Sequence, residues 1–218
     1  QQLTVILNKM AGEVTEKQEQ LLRRAKERTK GLLDLIRDLL DLSKIEAGKM
    51  VQYKEPLNLQ EVIQRVVDLM RAASENKKLD LQFSPPPHIS LIHADRNSME
   101  GIFTNLISNA IKYTPEGGKV WIDLAEEGGF VKALVSDTGI GIKKEDLSRI
   151  FDKFYRVKSL ETRQIVGTGL GLSIVKSIVD AHLGSISVES EEGGGTTFII
   201  LLPKESNPSF CIPHREEN

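Results

Sequence analysis

Four segments between Asn105 and Leu172 decide the fold: NLISNAIKYT (Asn105–Thr114), DTGIGI (Asp137–Ile142), FDKFYR (Phe151–Arg156) and GTGLGL (Gly167–Leu172). The first is an Asn-bearing helical pattern, and the second places an Asp before alternating glycines. The third carries paired Phe residues, and the last is a glycine run that opens an apolar helix. Glycines spaced in this way let backbone approach a phosphate closely and adopt positive φ. A helix that begins in such a loop presents free N–H groups and the positive end of its dipole to an anion. A single glycine cluster is more often a turn. Four pieces in this order, with an oxygen-ligand Asn and a lone Asp among them, read as a nucleotide site.

Working outward, the chain of 218 residues has room for one full core and a smaller module. A net charge of −2 gives no support to bulk nucleic-acid binding. One cysteine, Cys211, excludes an intrachain disulfide and fits a reducing, cytoplasmic compartment. No apolar run approaches the ~20 residues needed to cross a bilayer, so no membrane contact is expected of this piece; a longer parent with an upstream anchor remains compatible.

Residues 1–52 differ in pattern from the rest. Leu3, Ile6, Leu7 and Met10 sit at helical spacing, Ala11-Gly12 interrupts, and Thr15 with Gln18 forms a capping box that starts a long helix. Leu22, Ala25, Thr29, Leu32, Ile36, Leu39 and Ser43 alternate three and four apart as a heptad seam, and Gly48 marks the end. A second row, Leu21, Leu33, Leu35, Leu40 and Leu42, widens the apolar face. Two solutions bury it: a homodimeric four-helix bundle through residues 1–50, or packing on the rest of the same chain. Residues 53–204 alternate strand and helix patterns without strict βαβ order. Helices are expected over 60–75, 96–113 and 170–182, the last stopped by Gly184, with strands at 79–83, 89–95, 120–125, 130–136, 185–190 and 196–202. The expectation is an α+β fold, a mixed sheet covered on one face by helices. Residues 205–218 read as a polar, disordered tail.

Asn105 and Asn109 lie four apart and share a helix face. Such residues also serve as buried structural hydrogen-bonders. Mg²⁺ favours oxygen ligands and retains waters, so one Asn carbonyl with phosphate oxygens suffices to anchor it. Lys112 and Tyr113 extend the face toward phosphate and ring. Asp137, ending an apolar strand, either accepts from an exocyclic amine such as that of adenine or caps a turn. No GxxxxGK[ST] loop is present. The basic run Lys143, Lys144, Arg149, Lys153, Arg156, Lys158 and Arg163 is either a solvated face or a mobile lid. Phe151 and Phe154 read as its apolar anchors.

These residues resemble the catalytic ATP-binding domain of sensor histidine kinases over 96–203, and residues 1–50 resemble the later part of that family's dimerisation and phosphotransfer hairpin. Asn105, Asn109, Lys112 and Tyr113 match its N box, and Asp137, Gly139 and Gly141 its first glycine box. Phe151 and Phe154 match the F box, and Gly167, Gly169 and Gly171 the second glycine box. The resemblance implies a Bergerat-type α/β sandwich behind a helical hairpin, ATP and Mg²⁺ as cofactors, γ-phosphoryl transfer to a histidine, and a response-regulator receiver domain as partner. It implies that Asn109 holds the metal, Asp137 the adenine amine and Arg156 a phosphate, with Thr196 supporting adenine through water. Asn105 and Lys112 become catalytic candidates, and Thr168, Leu170 and Leu172 join the nucleotide-binding set. The four histidines, His88, His93, His182 and His214, all lie outside the position of the family's phosphoacceptor. The acceptor is therefore expected upstream of Gln1, and the fragment alone is expected not to label itself. Gyrase-like and heat-shock ATPases of the same fold carry a Glu base where this chain has Asn105, which favours phosphotransfer over hydrolysis. A nucleotide-sensing scaffold without chemistry is the third reading.

Overall fold

The computed structural model describes residues 2–7, 10, 12–46, 53–157 and 167–205. The readings made of Gly48, Lys158, Arg163, Cys211, His214 and tail residues 206–218 lie outside these. Helix α1 (Gln2–Leu7) precedes the long helix α2 (Glu16–Glu46). The capping box at its start is closed in both directions: Thr15 N–H donates to Gln18 Oε1 at 2.8 Å, and Gln18 N–H to Thr15 Oγ1 at 3.3 Å.

Strand β1 (Glu55–Leu57), helix α3 (Leu59–Asn76), β2 (Asp80–Phe83) and β3 (Ile92–Ala94) follow. Then come α4 (Arg96–Tyr113), the hairpin β4 (Lys119–Glu127) and β5 (Phe130–Asp137), and short α5 (Lys144–Leu147). Helix α6 (Gly171–Ala181), β6 (Ser185–Glu191) and β7 (Gly195–Pro203) complete the order. The main sheet runs β2-β4-β5-β7-β6, with β2 parallel to β4 and every other pair antiparallel. Strands β2 and β3, which flank the Pro85–Pro87 run, do not pair with each other. β3 pairs instead with β1 in a separate two-stranded ribbon.

Alternation along the strands explains the layering. Val120, Ile122 and Leu124 of β4, Val131, Ala133 and Val135 of β5, and Phe198, Ile200 and Leu202 of β7 are buried. They meet Val62, Ile63 and Val66 of α3, Met99, Phe103 and Leu106 of α4, and Ile174, Val175 and Ile178 of α6. Three helices thus cover one face of the sheet, the expected sandwich. Helix α6 does not stop on a left-handed Gly184; Leu183 takes that conformation at φ 57°. Gly184 is small because a Cβ there would lie 2.4 Å from Leu201 O.

Helix α2 packs along α6. Leu42 is buried and Leu35 half-buried against the core, whereas Leu32, Ile36 and Leu39 of the seam and Leu21, Leu33 and Leu40 remain exposed. One of the two expected uses of the apolar face is therefore visible: its edge at Leu35 and Leu42 is taken by the chain itself, while Leu32, Ile36 and Leu39 of the seam stay exposed. No helix among the described residues is long and apolar enough to cross a membrane.

Candidate nucleotide site

Helix α4 starts on Asp95, whose carboxylate accepts the Ser98 N–H at 2.7 Å. Its apolar face points at the sheet, which leaves Asn105, Asn109, Lys112 and Tyr113 on the half-buried edge beside a cleft. Asn109 Nδ2 donates to Asn105 Oδ1 at 3.1 Å. That bond turns the Asn109 carbonyl oxygen away from Asn105. The Lys112 ammonium lies 5.7 Å from the Tyr113 ring centroid. Burial raises the Tyr113 hydroxyl pKa, opposed by the Arg156 charge.

Across the cleft, β5 ends at Asp137, which is 7 % exposed. Its carboxylate accepts the Gly139 N–H at 2.7 Å and the Thr196 N–H. Burial outweighs these two bonds and pushes its pKa up to about 6. Thr196 is also nearly buried, its hydroxyl 2.9 Å from Ser190 Oγ, which in turn accepts the Ile142 N–H at 2.8 Å. The loop after Asp137 is fixed at Gly141, which has φ 69° and would place a Cβ 1.8 Å from Glu191 O. The Ile140 N–H donates to Tyr113 O at 3.2 Å and so joins this loop to the end of α4.

The second glycine loop closes the other side. A Cβ on Gly171 would fall 2.3 Å from Asn105 Nδ2, so the first residue of α6 rests directly on the Asn pair. Thr168 Oγ1 accepts the Leu170 N–H at 3.2 Å and donates to Asp38 Oδ2 of α2 at 2.6 Å. Phe154 N–H donates to Gly169 O at 2.9 Å. Phe151 packs edge-on to Phe198 with ring centroids 6.4 Å apart, as an anchor should. Phe154 does not: it is 60 % exposed with φ 64°, and its contribution is the backbone bond. The first half of the basic segment is held in place by buried Ile150, by Arg149 stacked 4.3 Å over the Tyr155 ring, and by the Tyr155 hydroxyl on Asp146.

Asn105, Asn109, Lys112, Tyr113, Asp137, Gly141, Arg156, Gly167, Thr168, Gly169, Gly171, Leu172 and Thr196 all line one cleft of about 1830 Å³. Gly139 and Leu170 do not line it. Gly139 gives its N–H to Asp137, and Leu170 fills the core. Sequence reading missed the contribution of α2, whose Leu35, Asp38 and Asp41 also line the cleft, and of Tyr53. Leu35 and Leu42 belong to the second apolar row, whose pattern signals burial but not a place beside the cleft. Among the described residues no cluster of His, Cys, Asp or Glu is built to hold a metal. Asn109 with phosphate oxygens and water suits a hard, water-retaining cation such as Mg²⁺.

A mixed sheet under three helices, with an Asn edge, a buried Asp and two glycine loops around one cleft, defines a nucleotide-binding α/β sandwich. Residues 94–206 match the family model "Histidine kinase-, DNA gyrase B-, and HSP90-like ATPase", and the chain belongs to that family. It is 38 % identical over 176 residues to a sensor-like histidine kinase of Rhizobium meliloti, covering 81 % of this chain and 34 % of that protein. It is 39 % identical over 172 residues to the histidine protein kinase DivJ of Caulobacter vibrioides, covering 79 % of this chain and 29 % of that one. The crystal structure of histidine kinase ThkA in complex with response regulator protein TrrA is similar over 93 % of this chain and 57 % of ThkA, with TM-score 0.72 and 26 % identity. The chain spans about a third of the length of these curated relatives.

Proposed function

We propose that this chain is the catalytic core of a two-component sensor histidine kinase. It binds Mg²⁺-ATP and passes the γ-phosphoryl group to a histidine on a hairpin helix preceding Gln1, for relay to a response-regulator aspartate. The observation that carries the reading is the pairing of Asn105 with Asn109 on one wall of the cleft and buried Asp137 on the other. In this reading the Asp137 carboxylate accepts from the adenine amine, and Thr196 with Ser190 supports it. Asn109 holds the metal, which when bound neutralises phosphate charge. Lys112 and Arg156 sit where cationic side chains offset the rest. Asn105 carries an amide, which cannot take a proton from water, so transfer to a positioned nucleophile fits better than hydrolysis. The similarity to a histidine kinase solved with its response regulator supports the relay. The open seam of α2 supports homodimerisation, and a cytoplasmic setting suits an ATP-dependent site.

Calorimetric titration with ATP, with and without Mg²⁺, tests the roles. Asp137→Asn should weaken binding under both conditions, because an amide replaces one acceptor by a donor. Asn109→Ala should remove only the benefit of Mg²⁺. Equal effects of both substitutions in both conditions would overturn the assignment. With γ-labelled ATP, this chain should stay unlabelled, and a version extended by the acceptor helix should gain acid-labile, alkali-stable phosphate.

A further inference from the structure

A helix ends with carbonyl groups it cannot satisfy itself, and those of α4 can be accounted for one by one. Ala110 O accepts from the Thr114 N–H at 3.0 Å and from its hydroxyl at 2.6 Å. Tyr113 O takes the Ile140 N–H. The other two, Ile111 O and Lys112 O, both accept from the Lys77 ammonium at 2.8 Å each. Lys77 belongs to a different element. It is the C-cap of α3, its N–H closing on Ser74 O and Glu75 O, and its half-buried side chain crosses to the neighbouring helix. Burial lowers its pKa, as expected for an ammonium drawn off the surface. Lys78, next in sequence, instead pairs with Glu116 in solvent.

The carbonyls held by Lys77 belong to the turn that displays Asn109, Lys112 and Tyr113 to the cleft. The end of a helix carries roughly half a negative charge. Here that end borders the cleft through Ala110, Lys112 and Tyr113, on the side where the reading above puts the phosphates.

We propose that Lys77 is a positioning residue for the phosphate end of the nucleotide site: its ammonium fixes the last turn of α4 and cancels the negative end of that helix. The proposal rests on the nucleotide reading above. It assigns Lys77 no contact with the ligand.

The test is calorimetric titration of the whole chain with a nonhydrolysable MgATP analogue and, separately, with adenosine. Lys77→Met keeps the aliphatic stem and removes the donors. The MgATP analogue should bind about tenfold more weakly while adenosine, held at Asp137, stays within about twofold. Hydrogen exchange in the last turn of α4 should quicken in the same variant, and Lys78→Met should change neither ligand. If Lys77→Met does not fold, Lys77→Gln, with a shorter and uncharged donor, should show the same split. Unchanged binding of both ligands, or parallel loss of both, would reduce Lys77 to a structural cap and overturn the proposal. Wild-type protein that binds neither ligand would sink the nucleotide reading, and the role of Lys77 with it. A binding wild type with an indifferent variant would sink Lys77 alone.

Discussion

At Asp137 burial and hydrogen bonding act against each other, and burial wins. The carboxylate ordinarily titrates at 3.8 and is raised to about 6 in the folded chain. Folding therefore favours the protonated form. The stability this contributes is complete below about 3.8 and is lost as pH rises through about 6. Nucleotide binding should run the other way, because the ionised carboxylate is the better acceptor for an amine. Affinity for MgATP is expected to fall as pH drops below about 6, and Asp137→Asn should flatten both the affinity profile and this part of the thermal-stability profile. Calorimetry and melting curves across the pH range check both; a pH-independent wild-type affinity would refute the assignment. The glycine loop after Asp137 was legible in the sequence because a positive φ and a close backbone approach, as at Gly141, call for glycine directly. Asp38 was not, since nothing local to a charged residue on a long helix announces a partner at Thr168, 130 residues on. Phe154 was misread because a paired-Phe pattern does not reveal which backbone is left-handed.

Among the elements, the clearest dependence is the joint between α6 and α4. His182, at the end of α6, is 1 % exposed. Its Nε2 accepts the Asp95 N–H at 3.2 Å, and its Nδ1 lies 2.8 Å from Ile178 O. The ring is therefore neutral, with its proton on Nδ1. Lys54, from the segment entering β1, donates to Ala181 O at 2.9 Å in the same corner. Burial lowers the His182 pKa below its ordinary 6.5. The sign is opposite to that of Asp137: its contribution is present above 6.5 and lost as pH falls through the folded value. His182→Ala should cost about 1–3 kcal/mol at neutral pH by leaving the Asp95 N–H buried without its acceptor, and should blunt acid destabilisation. Denaturant melts at two pH values measure it; an equal cost at both would show that the ring acts by packing alone. Helix α4 and the β4–β5 hairpin were readable from period and turn chemistry. The partners of β2 and β3 were not, because pairing over long range is decided by the sheet and not by the strand's own residues.

For the whole molecule, α2 serves two surfaces at once. One edge, through Leu35, Asp38 and Leu42, belongs to the nucleotide-binding sandwich. The rest leaves Leu33 at 60 %, Leu40 at 59 %, Ile36 at 46 % and Leu39 at 44 % exposure. Burying a leucine is worth about 1.5–3 kcal/mol, so this row is a strong drive toward association. A second copy of α2 presents the same row with the symmetry that a two-fold interface needs. The expected result is a concentration-dependent dimer by light scattering. Leu33→Glu with Leu40→Glu should give a monomer that still binds MgATP, because neither side chain lines the cleft. Loss of nucleotide binding together with the dimer would show that the two surfaces of α2 are not separable. A wild-type monomer at every concentration would show that the seam serves some other contact. The separation bears on the proposed transfer, which would need an acceptor helix held in line with the γ-phosphate: α2 carries the exposed row on one side and bonds to the glycine loop at Thr168 through Asp38 on the other.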